Sequence, residues 1–208
     1  MLSKNIRIIS LIFLLIVIVG QSCKTDGQQA NGSVNTSADV VGISDQSIFV
    51  LDSKWNTEEG KSIMLKDLKG EVLVVVMIYT SCQVACPRLV ADMKALHDKV
   101  QKTIPENVRY VLVSIDPETD TPERLKEFAI KNEMDGEEWT FLQGNPETVR
   151  EFANVLAVKY KEISPTDFSH SNIISVFDPS GELIHQMEGV GVNNSETIEK
   201  ILASVDGL

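Results

Sequence analysis

Between Val72 and Tyr79 the chain reads Val-Leu-Val-Val-Val-Met-Ile-Tyr, an almost wholly apolar run dominated by β-branched residues. A half-exposed strand would alternate polar and apolar positions. This one does not, so it predicts a strand buried on both faces, as in a parallel or mixed sheet covered by helices. Directly after it come Thr80-Ser81-Cys82-Gln83-Val84-Ala85-Cys86-Pro87. Pro87 suits a first helical turn, and Leu89, Met93, Leu96 and Val100 recur at helical spacing. Val108 to Ile115 repeats the buried-strand pattern, which makes strand, helix and strand a right-handed crossover unit. Two cysteines therefore sit where a central strand turns into the helix packed upon it.

The remaining elements follow by pattern. Ile48-Phe49-Val50-Leu51 and Ser62-Ile63-Met64-Leu65 flank a polar turn containing Gly60, as in a β-hairpin or a pair of short strands. Asp116 to Glu123 is a turn leading into a helix with Thr121 as N-cap and Pro122 at the first position; Leu125, Phe128 and Ala129 form its buried face. Trp139 to Leu142 is a short strand, and Asn145-Pro146 caps a helix burying Val149, Phe152, Ala153 and Leu156. A loop through Pro165 carries the chain to His170. Asn172 to Phe177, the Asp178-Pro179-Ser180-Gly181 turn and Glu182 to Met187 form a second hairpin. A last amphipathic helix uses Ile198, Ile201, Leu202 and Val205. This order predicts an α/β protein: a thioredoxin-like fold with an added N-terminal β-hairpin.

At 208 residues the chain accommodates one well-cored domain and a tail. Lys4 and Arg7 precede an apolar run from Ile8 to Val19 that ends at Gly20-Gln21-Ser22-Cys23, the layout of an export signal. The small residues before Cys23 resemble a bacterial lipoprotein signal, with Gly20 standing where leucine is usual. That reading makes residues 1–22 a signal peptide, Cys23 the lipidated first residue of the mature chain, 23–46 a flexible tether and 47–208 the folded domain. A short uncleaved anchor is the alternative. Three cysteines leave one over if two pair, and lipidation of Cys23 would account for it. The expected location is exported and membrane-anchored, facing the periplasm or the cell exterior, where disulfides persist. A formal charge of −11 argues against nucleic-acid binding.

Two thiols separated by three intervening residues at a strand-to-helix turn can close a disulfide, exchange one, or chelate a soft metal. The positive end of a helix dipole favours the thiolate needed for the last two. Oxidoreductases usually space the pair as C-x-x-C; here Gln83, Val84 and Ala85 intervene. Spacing alone leaves the choice open, and a purely structural disulfide remains the bland reading.

Three ordered motifs carry a resemblance. Tyr79-Thr80-x-Cys82-x-x-x-Cys86-Pro87, Ser114-Ile115-Asp116-Pro117-Glu118-x-Asp120-Thr121-Pro122-Glu123, and His170-Ser171 followed by Asp178-Pro179-x-Gly181 look like the Sco/SenC family. The resemblance implies a thioredoxin-like fold, copper bound through Cys82, Cys86 and His170, and service in assembling the binuclear copper centre of cytochrome c oxidase. The chemistry agrees, since soft thiolates select Cu(I) and an imidazole also accommodates Cu(II). Structural zinc sites normally close with four ligands. No proline directly precedes the strand after His170, unlike the cis-proline loop of redox-active thioredoxins. Two departures flank the expected ligands: Gln83-Val84-Ala85 stands where the family usually carries proline and an acidic residue, and Ser169 where it usually carries aspartate.

Asp116 and Asp120 read first as turn and cap residues, with a secondary role beside the site implied by the resemblance. An ordinary loop position is the bland reading of His170. His97 and His185 read as packed or solvated side chains, and Met64, Met77, Met93 and Met187 as core. The function expected is a membrane-tethered, extracytoplasmic copper carrier with no turnover of its own. Its partners would be a copper-receiving oxidase subunit, a copper donor and a thiol reductant. A thiol-disulfide oxidoreductase that keeps the cysteines of such a copper site reduced is the alternative. A thiol peroxidase fits less well, because no Pro-x-x-x-Thr-x-x-Cys setting precedes Cys82.

Overall fold

The computed structural model describes residues 43–82, 85–104, 106–164 and 167–205. A seven-stranded mixed sheet forms its centre, with strands β1 (Lys54–Thr57), β2 (Ser62–Met64), β3 (Val72–Ile78), β4 (Val108–Ser114), β5 (Trp139–Gln143), β8 (Ile173–Phe177) and β9 (Leu183–Glu188). The spatial order is β2-β1-β5-β4-β3-β8-β9. Parallel pairing joins β3 to β4, with Val72 opposite Val108 and Ile78 opposite Ser114, and β4 to β5. The pairings of β1 with β2, β1 with β5, β3 with β8 and β8 with β9 are antiparallel. Among the described residues four helices accompany the sheet: α1 (Ala85–Gln101), α2 (Pro122–Lys131), α3 (Pro146–Val155) and α4 (Ser195–Val205). Every residue of β3 is buried, which is what its unbroken apolar run demands.

The expected α/β, thioredoxin-like architecture with an added N-terminal hairpin is the one observed. Its local signals also hold. Thr121 accepts from the Arg124 amide at 3.3 Å and Asn145 from the Glu147 and Thr148 amides at 3.0 and 2.9 Å, caps of a kind worth about 1 kcal/mol each.

Three expectations need correction. The middle strand is β4; β3 lies next to it, between β4 and β8. Ile48–Val50 is a 3₁₀ turn, and Lys54–Thr57 takes the place expected for it in the N-terminal hairpin. Ser47 explains the difference: its hydroxyl accepts from the Phe49 amide at 3.1 Å, and the Ile48 amide bonds the Gly181 carbonyl at 2.9 Å. The segment is thus coiled locally while Ile48 and Phe49 are buried. Finally, the stretch before His170 is no simple loop. β6 (Tyr160–Ser164) and β7 (Asp167–His170) pair antiparallel as a separate two-stranded ribbon, and His170 is the last residue of β7. Most of β6 is exposed, so no burial periodicity marked it in the sequence.

Candidate metal centre

The candidate ligands gather where β3 and β4 leave the sheet. Beyond Ile78 the ladder ends, and the Cys82 amide turns back to the Tyr79 carbonyl at 3.3 Å. α1 then begins, placing Cys86 in its first turn. The Cys86 amide donates to Cys82 Sγ at 3.2 Å, so an otherwise orphaned N–H of the helix start is aimed at sulfur. Both cysteines are thiols; Cys82 is half-buried and Cys86 is only 1% exposed.

Burial pushes the Cys86 thiol well above its ordinary range, partly offset by a backbone hydrogen bond at Tyr79 and reinforced by Cys82 and Asp120. At Cys86 burial thus opposes the thiolate that the helix start was expected to favour.

Asp120, fully buried, clamps the two strand exits together. It accepts from the Thr80 amide at 3.0 Å, from the Thr80 hydroxyl, and from the Ser114 hydroxyl at 2.7 Å. Its carboxyl is raised by burial, with these hydrogen bonds opposing. Arg124 donates to Thr80 Oγ1 at 2.9 Å. Asp116 supplies the turn carbonyl that receives the Thr119 and Asp120 amides, and its own amide donates to Ser114 Oγ at 3.0 Å. Asp116 and Asp120 thus shape the platform under the cysteines.

β7 delivers the imidazole. His170 Nδ1 lies 3.1 Å from the Ser171 carbonyl. A carbonyl can only accept, so Nδ1 carries the proton and the lone pair is on Nε2. That nitrogen faces Cys86 Sγ at 4.0 Å. Burial lowers the His170 pKa, with the Ser171 bond opposing, which keeps the ring neutral and able to ligate. The separation suits an ion between the two atoms, with bonds of about 2.0–2.3 Å as at zinc. As the side chains stand, no three His, Cys, Asp or Glu residues among those described are grouped tightly enough to hold a metal. Cys86 and His170 are aligned, and Cys82 borders them.

Tyr79 links the two halves of this arrangement. Its hydroxyl donates to Asp167 Oδ1 at 2.6 Å, lies 3.2 Å from the Phe168 carbonyl, and accepts the Phe168 amide at 3.3 Å. Its ring meets Phe168 and His170 edge-on at 5.3 and 5.7 Å. Neither Tyr79 nor Asp167 was singled out as a site residue from sequence. The available signal was an aromatic next to the cysteine turn and a carboxylate three positions before the histidine.

Residues 46–206 match the SCO1/SenC family model. The chain belongs to the SCO1/SenC family. Among relatives of this SCO1/SenC protein, the Bacillus subtilis SCO1 protein homolog is 32% identical over 139 residues, covering 65% of this chain and 72% of that protein. A solved SCO1/SenC family lipoprotein from Bacillus anthracis superposes with a TM-score of 0.67 at 27% identity, covering 73% of this chain and 92% of the other. Arabidopsis thaliana ScoI, solved with copper bound, shares the fold with a TM-score of 0.66 at 20% identity, covering 75% and 97%.

The other sequence candidates lie apart from this centre. His97 on α1 bonds Asp98 and Glu138, and His185 on β9 bonds Thr197 of α4. Met77, Met93 and Met187 are buried, as expected of core residues. Cys23, the signal segment and most of the tether lie outside the described residues, as do Gln83 and Val84. Among the described residues no helix is long and apolar enough to cross a membrane.

Proposed function

We propose that this SCO1/SenC protein is an extracytoplasmic copper carrier that delivers copper to an oxidase subunit, with Cys82, Cys86 and His170 as ligands. Copper is its cargo. The observation that carries the reading is the alignment of His170 Nε2 on Cys86 Sγ at 4.0 Å, with Nδ1 occupied by the Ser171 carbonyl. A histidine prepared in that way presents a lone pair beside soft sulfur, the donor set that suits Cu(I). The copper-bound Arabidopsis relative and the family resemblance support the same cargo. Rotation of half-buried Cys82 toward the other two groups would complete three donors. Asp116 and Asp120 serve beside the site, holding its platform.

The N-terminal reading belongs to the same proposal: residues 1–22 as a signal, Cys23 as a lipid anchor, 23–46 as tether and 47–208 as the working domain. The Bacillus anthracis lipoprotein supports it. Labelling cells with a radioactive fatty acid should mark the wild type and leave Cys23→Ala unmarked. Copper donor, thiol reductant and receiving subunit complete the set of partners.

Anaerobic Cu(I) titration of the reduced protein tests the carrier. Cys82→Ser, Cys86→Ser and His170→Ala should each weaken binding; unchanged stoichiometry and affinity in all three would sink it. A second reading, the thiol-disulfide oxidoreductase, draws on one observation: Cys82 is the more exposed thiol and its sulfur accepts the Cys86 amide, the arrangement of an attacking group. It takes over if His170→Ala binds copper normally while the dithiol rapidly reduces an oxidised partner.

A further inference from the structure

The geometry points to Tyr79 and Asp167 as positioning residues for His170, holding its Nε2 toward Cys86; the inference rests on His170 being a ligand. β6 and β7 share no ladder with the seven-stranded sheet. The short link through Ser171 and Asn172 to β8 and the packing of Phe168 place the end of β7 near the cysteine turn, and a directional contact is left to fix its orientation there. Besides the packing of Tyr160 and Phe168 on the core, hydrogen bonds from Asp167 and Phe168 of this ribbon meet at the Tyr79 hydroxyl.

Tyr79 is well placed for the task. It follows directly on β3 and stands three residues before Cys82, so its backbone belongs to the cysteine side; its carbonyl receives the Cys82 amide. Its side chain belongs to the histidine side, edge-on to the His170 ring at 5.7 Å. A hydroxyl has one proton and two lone pairs. Asp167, 2.6 Å away, accepts the hydroxyl's hydrogen bond, which turns a lone pair toward the Phe168 amide. One carboxylate thereby orients one phenol, and the phenol fixes the strand two residues before the ligand. Groups of this kind behind a ligand typically carry about 10–100-fold in metal affinity.

The test uses the reduced, metal-free protein first. Nitrogen-15 NMR of the His170 ring in the wild type should show the Nδ1–H tautomer alone. Tyr79→Phe, which keeps the ring and removes the hydroxyl, should give a mixture of tautomers, as should Asp167→Asn; Asp167→Glu should restore the wild-type pattern at least in part. Cu(I) affinity should fall about tenfold in Tyr79→Phe and Asp167→Asn, and no further in the double variant, because the pair acts as a unit. Circular dichroism on each variant separates these effects from misfolding, and Asp167→Asn, at an exposed position, is the variant expected to fold regardless.

Wild-type tautomer and affinity in both single variants would overturn the inference. A change in Tyr79→Phe with none in Asp167→Asn would remove Asp167 from it. His170→Ala keeps the two readings distinct: if that variant binds copper like the wild type, the ligand assignment fails, while the tautomer measurement still reports whether Tyr79 positions the ring.

Discussion

Two histidines stand at opposite ends of the parallel strands, each against aromatic rings, and only one is free to ligate. His97, at the end where β4 and β5 begin, lies 5.2 Å from Tyr110 and 5.1 Å from Trp139, centroid to centroid. His170, beyond the end where β3 and β4 finish, lies 5.7 Å from Tyr79. The difference is in the nitrogens. His97 has carboxylates at both, Glu138 at 2.9 Å and Asp98 at 3.2 Å. His170 has a carbonyl at one and a thiol 4.0 Å from the other. Aromatic packing fixes a ring in space; the acceptor on the far nitrogen decides whether a lone pair is left to offer.

The largest expected effect is a direct contrast of the two. His170→Ala should cost more than the roughly 100-fold at the upper end for outer-shell groups, whereas His97→Ala should leave Cu(I) affinity unchanged. Isothermal or competition titration reads both, and equal losses would erase the distinction drawn between them.

Next comes the platform. Asp120→Ala strands the hydroxyls of Thr80 and Ser114 and the Thr80 amide, so it should cost about 2–3 kcal/mol in urea unfolding, the range for bonds to a charged acceptor. Glu138→Ala, which removes a half-buried partner of His97, should cost well under half of that.

A smaller effect is set by pH. Burial raises the Cys86 thiol above its ordinary range, so the proton is present at neutral pH and must leave when the metal enters. Apparent Cu(I) affinity should therefore rise with pH, by up to about tenfold per unit for each proton displaced. Cys86→Ser should flatten the slope, and His97→Ala should not. His170 acts in the same direction on folding. Its lowered pKa means the unfolded chain takes up a proton first as the solution is acidified, so stability falls below the ordinary histidine range and His170→Ala should lessen that fall.

The smallest is His97→Gln. Loss of its ring contacts with Tyr110 and Trp139 should lower stability by about 1 kcal/mol in thermal unfolding, with the copper titration unmoved.

How much of this was readable beforehand follows from what each signal depends on. β3 was legible because burial on both faces leaves no room for polar residues, and the starts of α2 and α3 because Thr121-Pro122 and Asn145-Pro146 are local chemistry. Ile48–Val50 was misread because a short apolar run suits strand or turn equally; its choice is made by Ser47 and by a carbonyl at Gly181, far away in sequence. β6 was missed because exposure removed its periodicity. At the site, residue type and spacing marked the cysteine pair but left its use open, and the family resemblance supplied the metal reading and His170. The burial that opposes ionisation of Cys86 could not be foreseen, because a helix start is visible in sequence and the burial of one sulfur is not. Tyr79 lay inside a quoted motif, yet its role depends on a contact with Asp167 spanning 88 positions.

The ribbon that carries His170 has a mechanical consequence. A strand woven into the main sheet could move its last residue only by unzipping neighbours on both sides. β7 can move by giving up its bonds to one phenol, the packing of Phe168 and its short pairing with β6, leaving the seven-strand ladder whole. Departure of the imidazole is then a partial opening, separate from global unfolding.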